Sequence, residues 1–297
     1  MKNKTENGIW YAILAATLYA INSPFSKLLL NYIPETLMAG LLYIGAGFGM
    51  LFLLLLRKFR SEKTSEEKLT KKELPYTIGM VLLDIIAPIC LLYGLNHTTA
   101  ANASLLNNFE IVATSLIALL VFKESISNRL WLGIIFVTLS CAALSFENIS
   151  SLSFSKGSLF VLLAASFWGL ENNCTRMISS KDPLEIVMVK GIFSGIGSII
   201  IGYIIGERMT NLWVIPLVLL LGFIAYGLSI YLYVYAQRTL GASRTSAYYA
   251  VSPFIGTFLS LIIFKTVPGT LFIVSLILMI FGAWLSSSDK PLKDIFR

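Results

Sequence analysis

An all-α integral membrane protein, with ten transmembrane helices arranged as an inverted repeat of two five-helix halves, is the fold this sequence predicts. Three observations carry the prediction. The chain is 56% hydrophobic and 13% charged, with a mean hydropathy of +0.78, whereas soluble domains carry about 25% charged residues. Its apolar residues fall in runs of about 20, enough for a helix to cross a hydrocarbon core of about 30 Å. The chain also repeats itself: ATLYAINSPFSK at 16–27 aligns with ASFWGLENNCTR at 165–176, and residues 100–123 align with 242–265.

The runs predict helices over 10–31, 33–57, 76–95, 99–122, 129–147, 157–178, 183–205, 212–236, 242–264 and 269–287. Several connections leave room only for a tight turn, so neighbouring helices are expected to be antiparallel and adjacent. The first run is about as long as a full span and lacks an A-x-A-like exit, so no cleavable signal peptide is expected. Ala16/Ala165, Tyr19/Trp168, Lys27/Arg176 and Pro34/Pro183 pair at a spacing of 149 residues. Tyr93/Tyr235, Ser104/Ser246 and Lys123/Lys265 pair at 142, and the difference falls in the charged loop from Arg57 to Pro75. A repeat this long, interrupted by one change of loop length, divides the chain into 1–148 and 149–297.

Charge sets the expected orientation. With the N-terminus cytoplasmic, 17 of the 23 basic residues fall in inside segments, including seven between Arg57 and Lys72, against Lys156, Arg208 and Lys265 outside. This satisfies the positive-inside rule and puts both termini in the cytoplasm. Five helices per half, an odd number, invert the second half relative to the first. The net charge of +7 then reflects topology and contact with anionic lipid rather than nucleic-acid binding. The Lys- and Ile-rich composition fits a bacterial plasma membrane.

Polar side chains at mid-bilayer are costly and mark cavities or relays. Asp84 and Glu110 fall near the centres of helices 3 and 4, and Glu171 lies within about a turn of the centre of helix 6. Asn22, Asn107, Asn108, Asn172, Asn173, Arg176 and Lys190 accompany them. Asn107 and Glu110 share a helix face, as do Asn172 and Arg176. A face with an amide and a carboxylate can grip a polar solute or hold a proton. The bland alternatives are helix-to-helix hydrogen bonding for the asparagines, snorkelling for Lys27 and Arg176, an internal Glu110–Lys190 ion pair, and a structural role for Asp84 beside Pro88.

Pro24, Pro88 and Pro253 are expected to disturb helices 1, 3 and 9. Glycines at 40, 45, 47 and 49 and at 191, 195 and 197 predict close helix contacts. Of the many aromatics in helices 8 and 9, Tyr226 and Tyr249 are deep enough to line a pocket, and Trp168 of helix 6 is counted with these deep aromatics. Cys90, Cys141 and Cys174 lie in three different spans without a C-x-x-C pair, and His97 is the lone histidine, so no metal site is expected.

The duplicated helix 1/6 pattern (AATLYAINSPFSK, AASFWGLENNCTR), the helix 4/9 pattern (ASLLNNFEIVATSLIALLVFKE, SAYYAVSPFIGTFLSLIIFK) and the small residues Ser140 and Gly282 resemble the EamA-type permeases of the drug/metabolite transporter superfamily. The resemblance covers nearly the whole chain. It implies a central cavity from helices 1, 3, 4, 6, 8 and 9 and alternating access. The chain departs from the pattern where Thr266 stands opposite Glu124, Leu41 opposite Lys190, Ser252 opposite Glu110 and Asn22 opposite Glu171, so the cavity is expected to be asymmetric in charge.

The function expected is secondary active transport, mainly export, of small metabolites, amino acids or amphipathic compounds. Glu110, Glu171, Asp84, Asn22, Asn107, Trp168, Asn172, Lys190, Tyr226 and Tyr249 are the candidates for binding substrate or protons. The deep aromatics would grip an apolar moiety, with Asn172 and Lys190 meeting its polar head. No GxxxxGK[ST] motif occurs, so a gradient would supply the energy, and no H-E-x-x-H or Ser/His/Asp set suggests an enzyme. A facilitator or an importer of a small polar metabolite is the first alternative, and a membrane-embedded enzyme or a channel the lesser one. The partners expected are a small molecule, the lipid bilayer and coupled protons, in a monomer or homodimer, with no cofactor.

Overall fold

A computed structural model of the protein describes residues 2–60, 67–123, 127–148, 153–240, 245 and 248–286. These residues are almost wholly helical. The helices are α1 (Lys2–Ala20), α2 (Asn22–Leu29), α3 (Glu35–Phe59), α4 (Leu74–Asn96), α5 (Ala100–Leu106), α6 (Phe109–Phe122), α7 (Asn128–Ser145), α8 (Lys156–Ile178), α9 (Pro183–Ile204), α10 (Ile215–Gly222), α11 (Ser229–Leu240), α12 (Ser252–Phe264) and α13 (Thr270–Ser286). A six-residue π-helical stretch, Phe223–Leu228, joins α10 to α11. A short antiparallel contact between Phe146–Asn148 and Ser153–Phe154 bridges α7 and α8. With pieces that directly follow one another joined, ten helical runs appear among the described residues, in the expected order.

Seven runs are long and apolar enough to cross a membrane: Asn7–Leu29, Glu35–Phe59, Lys71–Asn96, Ala100–Val121, Asn128–Ser145, Pro183–Ile204 and Leu212–Ala236. The sequence reading expects ten. Helices α12 and α13 are apolar but only 13 and 17 residues long. Helix α8 is 23 residues long but carries Glu171, Asn172, Asn173 and Arg176. Averaged hydropathy counts these as if all met lipid, yet Glu171 and Asn173 are buried. Outward-facing side chains such as Phe48, Phe52, Leu120, Ile204 and Ile277 are exposed, as a lipid-facing surface requires.

Local chemistry sets the helix boundaries. Thr99, Ser127, Ser155 and Asp182 accept hydrogen bonds from backbone N–H groups in the first turns of α5, α7, α8 and α9. Lys123 and Lys265 end α6 and α12 in the left-handed conformation, at φ of 55° and 51°. They are the corresponding residues of the two halves by the 142-residue spacing, and share a backbone state uncommon for a residue with a Cβ.

Glycines set the packing. Helix α3 lies against α9 through Gly40 and Gly47 facing Gly195 and Gly191; a Cβ at Gly47 would sit 2.6 Å from the Ile192 backbone nitrogen. Its other side meets α10, where Gly45 and Gly222 approach opposing backbone. Other close pairs are α4 with α8, α6 with α8, α1 with α11, α5 with α12 and α7 with α13. In the last pair, Ser140 Oγ donates to the Ser275 carbonyl at 2.6 Å and Gly133 faces Gly282. Every glycine singled out from sequence in these two clusters is at a close contact.

The prolines act less uniformly than expected. The first run breaks at Ile21, where Pro24 withholds a donor, and Pro253 stands in the first turn of α12. Pro88 lies inside an uninterrupted α4. A further break at Asn107 and Asn108 has no proline: Asn108, Glu110 and Ile111 bond three residues back instead of four. Glu124, Arg244, Ser246, Lys290, Lys293 and Arg297, and residues 61–66 of the basic loop, lie outside the described residues.

The bundle has two distinguishable ends. At one, Arg57 pairs with Asp182, Lys181 Nζ lies 2.9 Å from Glu67 Oε2, and the Leu69 N–H donates to Glu185 at 2.8 Å. The Lys181 ammonium is pushed above the usual lysine range by that hydrogen bond to Glu67. At the other, Glu207 accepts from the Thr36 and Leu37 N–H groups, and Lys27 Nζ donates to the Asn96 carbonyl at 2.9 Å. Cavities of about 510 Å³ and 280 Å³ lie at this second end, lined by residues including His97, Asn102 and Phe146, and Lys27, Ala101 and Ser260 respectively.

Candidate functional site

Helices α4, α8 and α9 each bring one ionisable side chain to a single buried point. Lys190 Nζ lies 3.0 Å from Asp84 Oδ2 and 2.9 Å from Glu171 Oε1. Exposure of the three residues is 4%, 0% and 3%. The Tyr43 hydroxyl of α3 donates to Asp84 Oδ1 at 2.8 Å, and the Thr175 hydroxyl, one turn along α8, donates to Glu171. An isolated charge in this setting would be prohibitive, and the bridge with its added hydrogen bonds is the arrangement that tolerates it.

The internal ion pair weighed from sequence for Lys190 therefore exists, but with Asp84 and Glu171. Glu110 instead accepts from Asn172 Nδ2 at 2.5 Å. It is still close enough to Glu171 and Lys190 to interact with both electrostatically. Asp84 is not tied to backbone freed by Pro88, because its oxygens face Tyr43 and Lys190. Asn172 is thus taken up by Glu110, and Asn173 serves as packing glue between α8 and α6, donating to the Thr114 carbonyl at 3.4 Å as well as to the Gly169 carbonyl of its own helix at 2.8 Å.

An aromatic cluster adjoins the ionic one. Tyr226 packs on Tyr43 with ring centroids 5.1 Å apart and on Tyr19 at 5.8 Å, and Tyr19 meets Tyr249 at 5.9 Å. Asn22 Nδ2 donates to the Tyr226 hydroxyl at 3.0 Å, and Ser26 Oγ donates back to Asn22 Oδ1 at 3.0 Å. Trp168 is buried on α8, one turn before Glu171 and Asn172. Asn107 is buried at the α5/α6 break with its Oδ1 unpartnered, as are both amide atoms of Asn108.

Eight of the ten sequence candidates lie on these helices, with Asn107 at the α5/α6 break and Tyr249 just before α12, and seven of the ten are joined in direct pairs or in the triad. Sequence reasoning missed Tyr43, Tyr19 and Thr175. Tyr19 was paired with Trp168 in the repeat, which was a usable signal. Tyr43 lies in a glycine-rich helix and had none. Also missed was a correspondence: Asp84 aligns with Tyr226 at 142, as Glu171 aligns with Asn22 and Lys190 with Leu41 at 149. The charged trio, drawn from both halves, thus corresponds under their exchange to a neutral Asn22–Tyr226 pair beside a leucine.

Among the described residues no group of His, Cys, Asp and Glu is arranged to hold a metal ion. Cys90, Cys141 and Cys174 are unbridged. His97 places Nδ1 2.9 Å from the Tyr93 carbonyl oxygen and stacks on the Tyr93 ring.

Spanning helices, a lipid-facing exterior and an ionic core define a multi-pass membrane protein. The chain belongs to the EamA-like transporter family, which matches residues 6–146 and again 155–288. An uncharacterized transporter of Methanothermobacter thermautotrophicus is 27% identical over 293 residues, covering 93% of this chain and 85% of its own. The uncharacterized transporter YyaM of Bacillus subtilis is 24% identical over 177 residues, covering 56% and 58%. A solved crystal structure, 14% identical, shares the fold with a TM-score of 0.66 over 96% of both chains. The protein is a membrane transporter.

Proposed function

We propose that the protein is a secondary active transporter that exports small metabolites or amphipathic compounds by alternating access. Its ten helices form an inverted repeat of residues 1–148 and 149–297, in a bacterial inner membrane with both termini cytoplasmic. The observation that carries this reading is the buried Asp84–Lys190–Glu171 cluster, which joins helices of both halves at mid-bundle. Ionisable groups at that depth mark transport pathways, and breaking or remaking the bridge gives the protein two states to switch between.

The repeat is supported by helix pairing. Under exchange of the halves, α4 with α8 becomes α11 with α1, while α3 with α9, α5 with α12 and α7 with α13 map onto themselves. The Gly133/Gly282 contact likewise maps onto Ser275/Ser140. The double family match and the equivalent left-handed Lys123 and Lys265 point the same way. The orientation is supported by Arg57, Lys58, Lys68, Lys71, Lys72, Arg129 and Lys181 gathering at the end bearing the Arg57–Asp182 pair. The cavities at the opposite end then open outward.

Glu110 is the proton-coupling group, since one hydrogen bond from Asn172 leaves its carboxylate able to accept a proton. The test is substrate efflux from loaded proteoliposomes under an imposed pH gradient. Efflux should slow when an ionophore dissipates the gradient. Flux indifferent to the ionophore makes the protein a facilitator.

A further inference from the structure

The core holds more negative than positive charge. Lys190 bridges Asp84 and Glu171, and among the described residues Glu110, held by Asn172, has no ion pair. Lys190 is therefore not free to meet an anionic head group. Glu110 sits in the first turn of α6, one turn after Asn107, a residue 7% exposed whose side-chain oxygen has no donor. Thr114, one turn beyond Glu110 on the same face, has an unpartnered hydroxyl. A buried acceptor without a donor is costly, and an acceptor beside a carboxylate invites a group that brings both N–H donors and positive charge. Tyr19 and Tyr249, whose rings meet at 5.9 Å, are close enough to Glu110 to interact with it electrostatically. Aromatic faces near a carboxylate favour a cation further.

We propose that the cargo is a protonated primary or secondary amine, whose N–H groups are accepted by Glu110 and the Asn107 side-chain oxygen while its carbon skeleton lies against Tyr19 and Tyr249. This rests on the transporter reading above and gives that site a substrate class. It reverses the sequence-based expectation that Lys190 meets the polar head of the substrate. A proton and an amine then compete for the same carboxylate, which ties amine movement one way to proton movement the other.

The test uses pairs of arylalkyl compounds matched in size, 2-phenylethylamine against 3-phenylpropionate and their longer homologues, with benzyltrimethylammonium as a cation lacking N–H groups. Binding to purified protein is read from intrinsic fluorescence, and counterflow is read in proteoliposomes. Amines should bind and exchange at least about tenfold better than carboxylates and the quaternary cation, the scale of one charge-assisted contact. Glu110→Gln should remove that preference while the protein stays monodisperse, and Asn107→Ala should weaken amine binding without creating carboxylate binding. Equal or better binding of the carboxylates, or equal binding of the quaternary cation, overturns the proposal. If carboxylates or neutral solutes show trans-stimulated exchange, the transporter reading survives and only the substrate class falls.

Discussion

Asn22 donates its amide to the Tyr226 hydroxyl at 3.0 Å, and these two residues stand where Glu171 and Asp84 stand in the other half of the chain. Both clusters span the two halves: one is a lysine-bridged pair of acids, and its counterpart under exchange of the halves is an amide–phenol hydrogen bond with Leu41 in the lysine position. Tyr43 touches both, donating to Asp84 and packing on Tyr226. The two halves of the core are thus electrostatically unequal but mechanically joined.

Removing the lysine should be severe. Lys190→Met leaves Asp84 and Glu171 facing one another without a cation, and breaking a buried ionic cluster costs about 3–5 kcal/mol. The apparent melting temperature in detergent should fall by several degrees, and the triple variant K190M/D84N/E171Q should recover part of the loss. A melting curve for K190M that matches the native protein contradicts the ionic account.

Glu110→Gln keeps the acceptor that Asn172 uses but cannot cycle a proton. Folded yield should be unchanged, and the dependence of flux on pH should be lost. If the pH profile of the variant overlays that of the native protein, the coupling group is elsewhere.

Glycine contacts separate packing from function. Gly47→Leu forces a side chain into the Ile192 backbone, and overpacking of this kind costs about 1–3 kcal/mol or more. Gly269→Ala meets nothing within 4 Å and should be tolerated. Size-exclusion profiles should show G47L depleted and G269A normal; a normal G47L profile means that the α3/α9 contact can yield.

Orientation is tested by labelling. Lys156→Cys and Arg208→Cys, both exposed, should react with impermeant thiol reagents in intact cells in a Cys174→Ser background, while Ser65→Cys should not. Reversed labelling inverts the topology.

The sequence was informative where chemistry repeats along the chain. Helix order followed from apolar runs, and the close contacts of Gly40, Gly47, Gly191 and Gly195 from their clustering. The mid-span depth of Asp84, Glu110 and Glu171 marked the core. Which acid meets Lys190 was not legible, because that depends on how α4, α8 and α9 rotate against one another. Nor was the break at Asn107–Asn108 foreseen, since no proline marks it and Asn is only mildly unfavourable in helices. Tyr43 was hidden for a related reason: a tyrosine in a glycine-rich helix reads as packing until its hydroxyl is seen against Asp84.

The most direct test of the central claim is counterflow. Proteoliposomes are preloaded with unlabelled substrate, diluted into a trace of the labelled compound, and followed for uptake. The account predicts a transient overshoot above equilibrium in the native protein, because one site at mid-bundle faces each side in turn. Uptake that rises monotonically to equilibrium, at a rate indifferent to the trans compound, would contradict alternating access and make the protein a channel.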